Sequence, residues 1–193
     1  MSEQAKLAPA AIVVEHTPNP DALMLLLGRA CLEPGLPAGV DLPDRERALR
    51  DSPLASALFG IDGVARVFLG ADFISVTKVP DVNWRTLGPE LLRVTAEQFN
   101  AGTPVLSPGF QPPAPAHDGE LAYRVRSVLD SEVRPLVASH GGDVEFLGCR
   151  NGVVELALHG ACAGCPAAAL TLRNQIESRL RAAVPEIVEI VAR

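Results

Sequence analysis

Apolar residues recur along this chain at two spacings, and together they lay out two series of short elements. AIVVE (11 to 15) and ALMLLL (22 to 27) are apolar runs of strand length flanking the turn Thr17, Pro18, Asn19, Pro20. VARVFLG (64 to 70) and FISVTKV (73 to 79) are separated only by Ala71 and Asp72. That pattern predicts a hairpin with Val67, Leu69, Ile74 and Val76 on its buried face. Between these pairs, Ser52 and Pro53 form a helix start, with Leu54, Ala57 and Leu58 on one face. Asn83 caps a longer helix from Trp84 to near Ala101, with Gly102 just past its end.

A change of composition follows. Residues 103 to 119, TPVLSPGFQPPAPAHDG, hold five prolines and two glycines with no sustained period, which reads as a semi-rigid linker. It divides the chain into a domain at 1 to 102 and a second at 120 to 193. In the second, Asp118 is the expected N-cap of a helix carrying Leu121, Val125, Val128, Leu129 and Leu136, kinked or restarted at Pro135. DVEFLGC and VVELALH are strands joined through Arg150, Asn151 and Gly152, a strong hairpin signal. A helix at 166 to 183, with Leu172, Ile176, Leu180 and Val184 as a stripe packing on the sheet, precedes a last strand in EIVEIVA (186 to 192). The expected fold class is α+β: two small mixed domains, the second in the order helix, strand, strand, helix, strand.

Composition narrows the function. The 193 residues carry a formal net charge of -6 and no runs of lysine or arginine, against the basic patch of a nucleic-acid binder. No apolar stretch approaches the roughly 20 residues that span a bilayer, so no membrane partner is expected. MSEQAKLAPAAIVVEH has neither an arginine-rich presequence nor a basic-then-apolar signal, and the expected address is cytoplasmic. Four cysteines, only two of them close together, do not make a secreted disulfide framework.

The chemistry concentrates in HGACAGCPAAALTL (159 to 172), where Cys162 and Cys165 lie between a strand and a helix. The first-turn N–H groups of a helix lack intrahelical partners and carry partial positive charge, so thiolates and anionic clusters are stabilised there. Pro166 suits the first helical position, and Gly160 and Gly164 permit close backbone approach. Two thiolates are half of the four that zinc and iron-sulfur centres usually take, and a two-fold related copy would supply the rest. The same arrangement serves a thiol-disulfide oxidoreductase, although thioredoxin-like folds place the motif early and follow it with more strands. Iron-sulfur, redox and zinc readings all stay open on spacing alone.

Cys149, at the hairpin end of its strand, and Cys31, in the other domain, read as ordinary packed cysteines. His159, His140 and His16 read as hydrogen-bonding residues rather than ligands, Gly141 and Gly142 as a turn, and Arg173 as part of a solvated face. The turn TPNP and the acidic segment Asp41 to Asp51 are candidate partner surfaces, with plain surface loops as the simpler reading. No Ser, His, Asp constellation or phosphate loop is present, so no catalytic residue is assigned and the chain is not expected to be an enzyme.

The second domain closely resembles the NifU-like C-terminal domain of Nfu-type iron-sulfur carriers, through RPLVASHGGDVEFLG (134 to 148), HGACAGCPAAALTLRNQIESRL (159 to 180) and VPEIVEI (184 to 190). The first is similar to the Nfu N-terminal domain through EHTPNPDALMLLLG (15 to 28), SPLASALFGIDGVARVFLGADFISVTK (52 to 78) and VNWRTLGPEL (82 to 91). The resemblance implies a scaffold that holds a [4Fe-4S] cluster, with [2Fe-2S] as the alternative, between the subunits of a homodimer. It makes Cys162 and Cys165 the only ligands, apo iron-sulfur proteins the clients, and upstream cluster-assembly proteins the source. His140, where the family commonly has aspartate, is a departure affecting a local turn and not the ligand set.

Overall fold

The computed structural model describes residues 12–33, 36, 39–112, 119–163 and 168–192. In chain order the first domain holds β1 (Val13–His16), β2 (Ala22–Leu26), β3 (Gly39–Leu42), α1 (Arg45–Asp51), α2 (Pro53–Leu58), β4 (Val64–Gly70), β5 (Phe73–Lys78) and α3 (Trp84–Asn100). Among the described residues its strands form one antiparallel sheet in the order β1-β2-β5-β4-β3.

The hairpin expectation holds: β4 pairs β5, and Val67, Leu69, Ile74 and Val76 are fully buried against the helices. Both expected caps are present, the Ser52 hydroxyl accepting from Ala55 N at 3.0 Å and Asn83 Oδ1 from Arg85 N at 2.9 Å. The acidic segment is not a loop. Asp44 caps α1 by accepting from Arg47 N at 2.8 Å, and Asp41 belongs to the edge strand β3.

ALMLLL does not alternate, and the sheet explains why, since a strand with both faces covered has no polar side. Leu25 and Leu27 join the core under the helices. Met24 turns the other way, clustering with Phe68 and Phe73 on the face toward the second domain, where Ala138 packs on them. The Phe68 and Phe73 ring centroids lie 5.9 Å apart. Residues 103 to 112 of the proline-rich stretch lie on the first core: Val105, Leu106 and Phe110 pack there, and Ser52 Oγ donates to the Val105 carbonyl. The remainder of that stretch, 113 to 118 with the expected cap Asp118, lies outside the described residues.

The second domain runs α4 (Glu120–Val128), a π-helical turn (Leu129–Val133), α5 (Arg134–Ala138), β6 (Gly142–Arg150), β7 (Val153–Gly160), α6 (Ala168–Ala183) and β8 (Glu189–Ala192). The first helix thus runs on without a gap through Pro135: the π turn widens the coil just ahead of it, and the proline falls in the first turn of α5. β6 and β7 make the expected hairpin, with Asn151 and Gly152 at φ 53° and 78°. β8 pairs parallel to β7, a connection that needs a crossover element, supplied by α6. Leu172, Ile176, Leu180 and Val184 are all buried in this domain's core. Among the described residues no helix is long and apolar enough to cross a membrane.

Candidate metal centre

β7 delivers the cysteine loop. Its last pairs set His159 opposite Asp143 and Gly160 opposite Gly142. Gly160 then takes φ 63°, a left-handed conformation that turns the chain out of the strand. Ala161 N donates to the Gly141 carbonyl at 3.0 Å, so Cys162 follows on a tightly fixed bend. A Cβ built on Gly142 would come within 2.7 Å of Cys162 Sγ and 2.5 Å of the His159 carbonyl oxygen. The second glycine of the Gly141, Gly142 pair therefore leaves room for the thiol, while the first, at φ 76°, makes the turn.

Cys162 is 5% exposed and packs with Val144, Leu156 and Leu172 in the second core. Cys165, Gly164 and Pro166 lie outside the described residues, and α6 is described from Ala168. The other two cysteines are elsewhere. Cys149 pairs with Val154 near the hairpin turn, six strand positions from Gly160, or on the order of 20 Å at strand rise. Cys31 is buried in the first core, its amide bonded to the Ala71 carbonyl. Burial pushes its thiol up to about 12, Arg29 opposing and Asp72 reinforcing, so it remains a protonated packing residue. Among the described residues no three His, Cys, Asp or Glu side chains converge as a metal site.

Around the loop base lies a charged cluster that sequence reasoning missed. His159 Nε2 is 2.9 Å from Glu145 Oε2, the ordinary hydrogen bond expected of it. Its other nitrogen faces Asp41 of the first domain, with Nδ1 3.5 Å from Oδ2, a charge contact longer than a good hydrogen bond. Asp41 in turn accepts from Arg66 Nε at 2.8 Å, and the Gly160 amide points at it from 3.4 Å. Burial opposes ionisation of Asp41, but His159 and Arg66 outweigh it and hold the carboxyl down at about 2. Burial likewise opposes a charged His159, and the two carboxylates prevail, raising it above the usual imidazole range.

The turn TPNP also meets the second domain. Asn19, 5% exposed, donates from Nδ2 to the Ala161 carbonyl at 2.9 Å. The turn TPNP and Asp41, the first residue of the acidic segment, thus face the loop of their own chain. His16 is exposed on β1, His140 has Nδ1 buried without a hydrogen-bond partner, and Arg173 donates to the Ala192 carbonyl at 2.7 Å from an exposed helix face.

Residues 12–102 match the family model described as scaffold protein Nfu/NifU N terminal, and residues 125–191 match that of the NifU-like domain. The chain is 37% identical over 183 residues to NifU-like protein 5, mitochondrial, of Arabidopsis thaliana, covering 91% of this chain and 65% of that one. It is 35% identical over 182 residues to the NFU1 iron-sulfur cluster scaffold homolog, mitochondrial, of Drosophila ananassae, covering 93% and 63%. The chain therefore spans a little under two thirds of the length of these relatives. A solution NMR structure of a NifU-like protein from Saccharomyces cerevisiae superposes with a TM-score of 0.47 at 26% identity, over 56% of this chain and 93% of that one.

These names correct the cytoplasmic address expected from the N-terminus, because the relatives are mitochondrial proteins. Composition of the opening residues carries no address where the match spans only 63 to 65% of the relatives' length.

Proposed function

Given that this chain belongs to the Nfu/NifU family of scaffold proteins, we propose that it is a non-catalytic iron-sulfur carrier in which Cys162 and Cys165 of two copies hold one [4Fe-4S] cluster. The cluster is cargo, received from an upstream assembly protein and passed to apo-proteins.

One observation carries the reading. A single chain presents Cys162 at a strand end beside Cys165 in sequence, while Cys31 is sealed in another core and Cys149 stands at the far end of the hairpin. The donor set of one copy is two thiolates, and a cluster takes four. A second copy around a two-fold axis completes the shell with identical residues. Ala161 and Ala163 put no bulk beside Cys162, which suits a site that an incoming thiolate must approach.

Transfer is ligand exchange. A client thiolate replaces Cys162 or Cys165 at one iron, and the next replaces its neighbour. Each step exchanges one iron–thiolate bond for another, so no general acid or base is required. Anaerobic reconstitution of Cys162→Ser and of Cys165→Ser tests the assignment. Both are expected to lose the visible absorption and the bound iron and sulfide, and retention of a full cluster in either rejects it.

A further inference from the structure

We propose that the first domain is an intramolecular latch on the cysteine loop, keeping Cys162 turned into the second core until the two domains part. The proposal rests on the reading of Cys162 as a cluster ligand.

Three consecutive residues ahead of that cysteine are held from the first domain. His159 faces Asp41, the Gly160 amide points at the same carboxylate, and Ala161 accepts from Asn19. Each holder is itself braced. Asn19 Oδ1 accepts from Asp21 N at 3.0 Å and the Asn19 backbone N–H donates to Thr17 Oγ1 at 3.2 Å, which stiffens the turn that carries it. Asp41 is clamped by Arg66. Phe68 closes over Gly160, where a Cβ would meet its ring at 3.0 Å.

Cys162 comes next, 5% exposed, with its sulfur above Gly142. A thiolate shared with a second chain must stand at the surface of both. From this position the sulfur cannot reach a partner, and turning it outward requires Gly160 and Ala161 to move. Asn19 and Asp41 hold both in the closed position. The contacts are few and largely polar, seated on the small apolar patch of Met24, Phe68, Phe73 and Ala138, so the seam can open without unfolding either core. The closed form is thus the resting apo state, and the dimeric carrier is an open one.

The test uses the full-length apo chain and iodoacetamide, with alkylation of Cys162 followed by peptide mass mapping. Wild type is expected to react slowly at Cys162. Asn19→Ala with Asp41→Ala is expected to raise that rate about tenfold, through loss of the Asn19 hydrogen bond and the Asp41 contacts. It is also expected to shorten the half-time of anaerobic cluster loading. Should the double variant fail to fold, Asn19→Ser alone is expected to give a smaller rise in the same direction. Equal Cys162 reactivity in wild type and a folded variant overturns the latch. A raised reactivity in the variants, with no cluster taken up by them or by wild type, supports the latch and rejects the carrier reading.

Discussion

Cys31 and Cys162 are both 5% exposed, and each packs among aliphatic side chains of its own domain, yet their backbones differ. Cys31 is bonded through its amide to the β4–β5 bend, and its thiol is pushed up to about 12. Cys162 follows a left-handed glycine at the end of a strand and sits over a residue without a side chain. Burial alone does not separate a structural thiol from a ligand. What separates them is what holds the chain at the sulfur: Cys31 is tied by its own amide within its domain, whereas Gly160 and Ala161 ahead of Cys162 are held from the other domain.

The sharpest way to break this contrast is to remove each sulfur in turn. Cys162→Ser and Cys165→Ser are expected to abolish cluster binding, whereas Cys31→Ser and Cys149→Ser keep it, measured by iron and sulfide per chain. Cys31→Ser nevertheless places a hydroxyl in an apolar core and is expected to lower the urea midpoint, by about 1 to 3 kcal/mol of stability. Next in size, Leu69→Ala empties a fully buried position in the first core and is expected to cost about 2 to 5 kcal/mol there while leaving the second domain's β6–β7 amides protected from hydrogen exchange.

The seam between the domains responds to pH in both directions. Asp41 is held at about 2 against 3.8 when unfolded, so its contribution of about 2 kcal/mol is present above pH 4 and is lost as pH falls through 2. His159 is raised, so its contribution is full below its unfolded value of 6.5 and is lost as pH rises through the higher folded value. Denaturant midpoints across pH are expected to show both slopes, and Asp41→Asn removes the acid one and lowers the His159 midpoint followed by NMR. Smallest of all, Arg93→Ala breaks exposed pairs with Glu90 and Glu97 on α3 and is expected to leave the thermal midpoint unchanged.

Much of the fold was legible because its signals are local. Ser52 with Pro53, Asn83, and the Asn151–Gly152 turn each fix an element through neighbours in sequence, and the Val67, Leu69, Ile74, Val76 pattern set the sheet's helix-facing side. β3 escaped notice because GVDL has two apolar residues and no run; it becomes a strand by pairing with β4 and through the Asp41–Arg66 ion pair, 25 positions apart. α1 did carry a signal, Asp44 ahead of RERALRD, which the density of charge obscured. The apolar Val105, Leu106 and Phe110 likewise marked the proline-rich stretch as adhering to a core. The cysteine loop stood out by motif alone, but its contacts with Asn19 and Asp41 span 142 and 119 positions, and no local pattern announces a pairing at that range.

On the proposed reading one chain supplies half of a coordination shell. Native mass spectrometry of the anaerobically reconstituted full-length protein tests it most directly. The expected species is two chains carrying one cluster of about four irons and four sulfides, collapsing to single chains when the cluster is removed. A single chain retaining a complete cluster would contradict it.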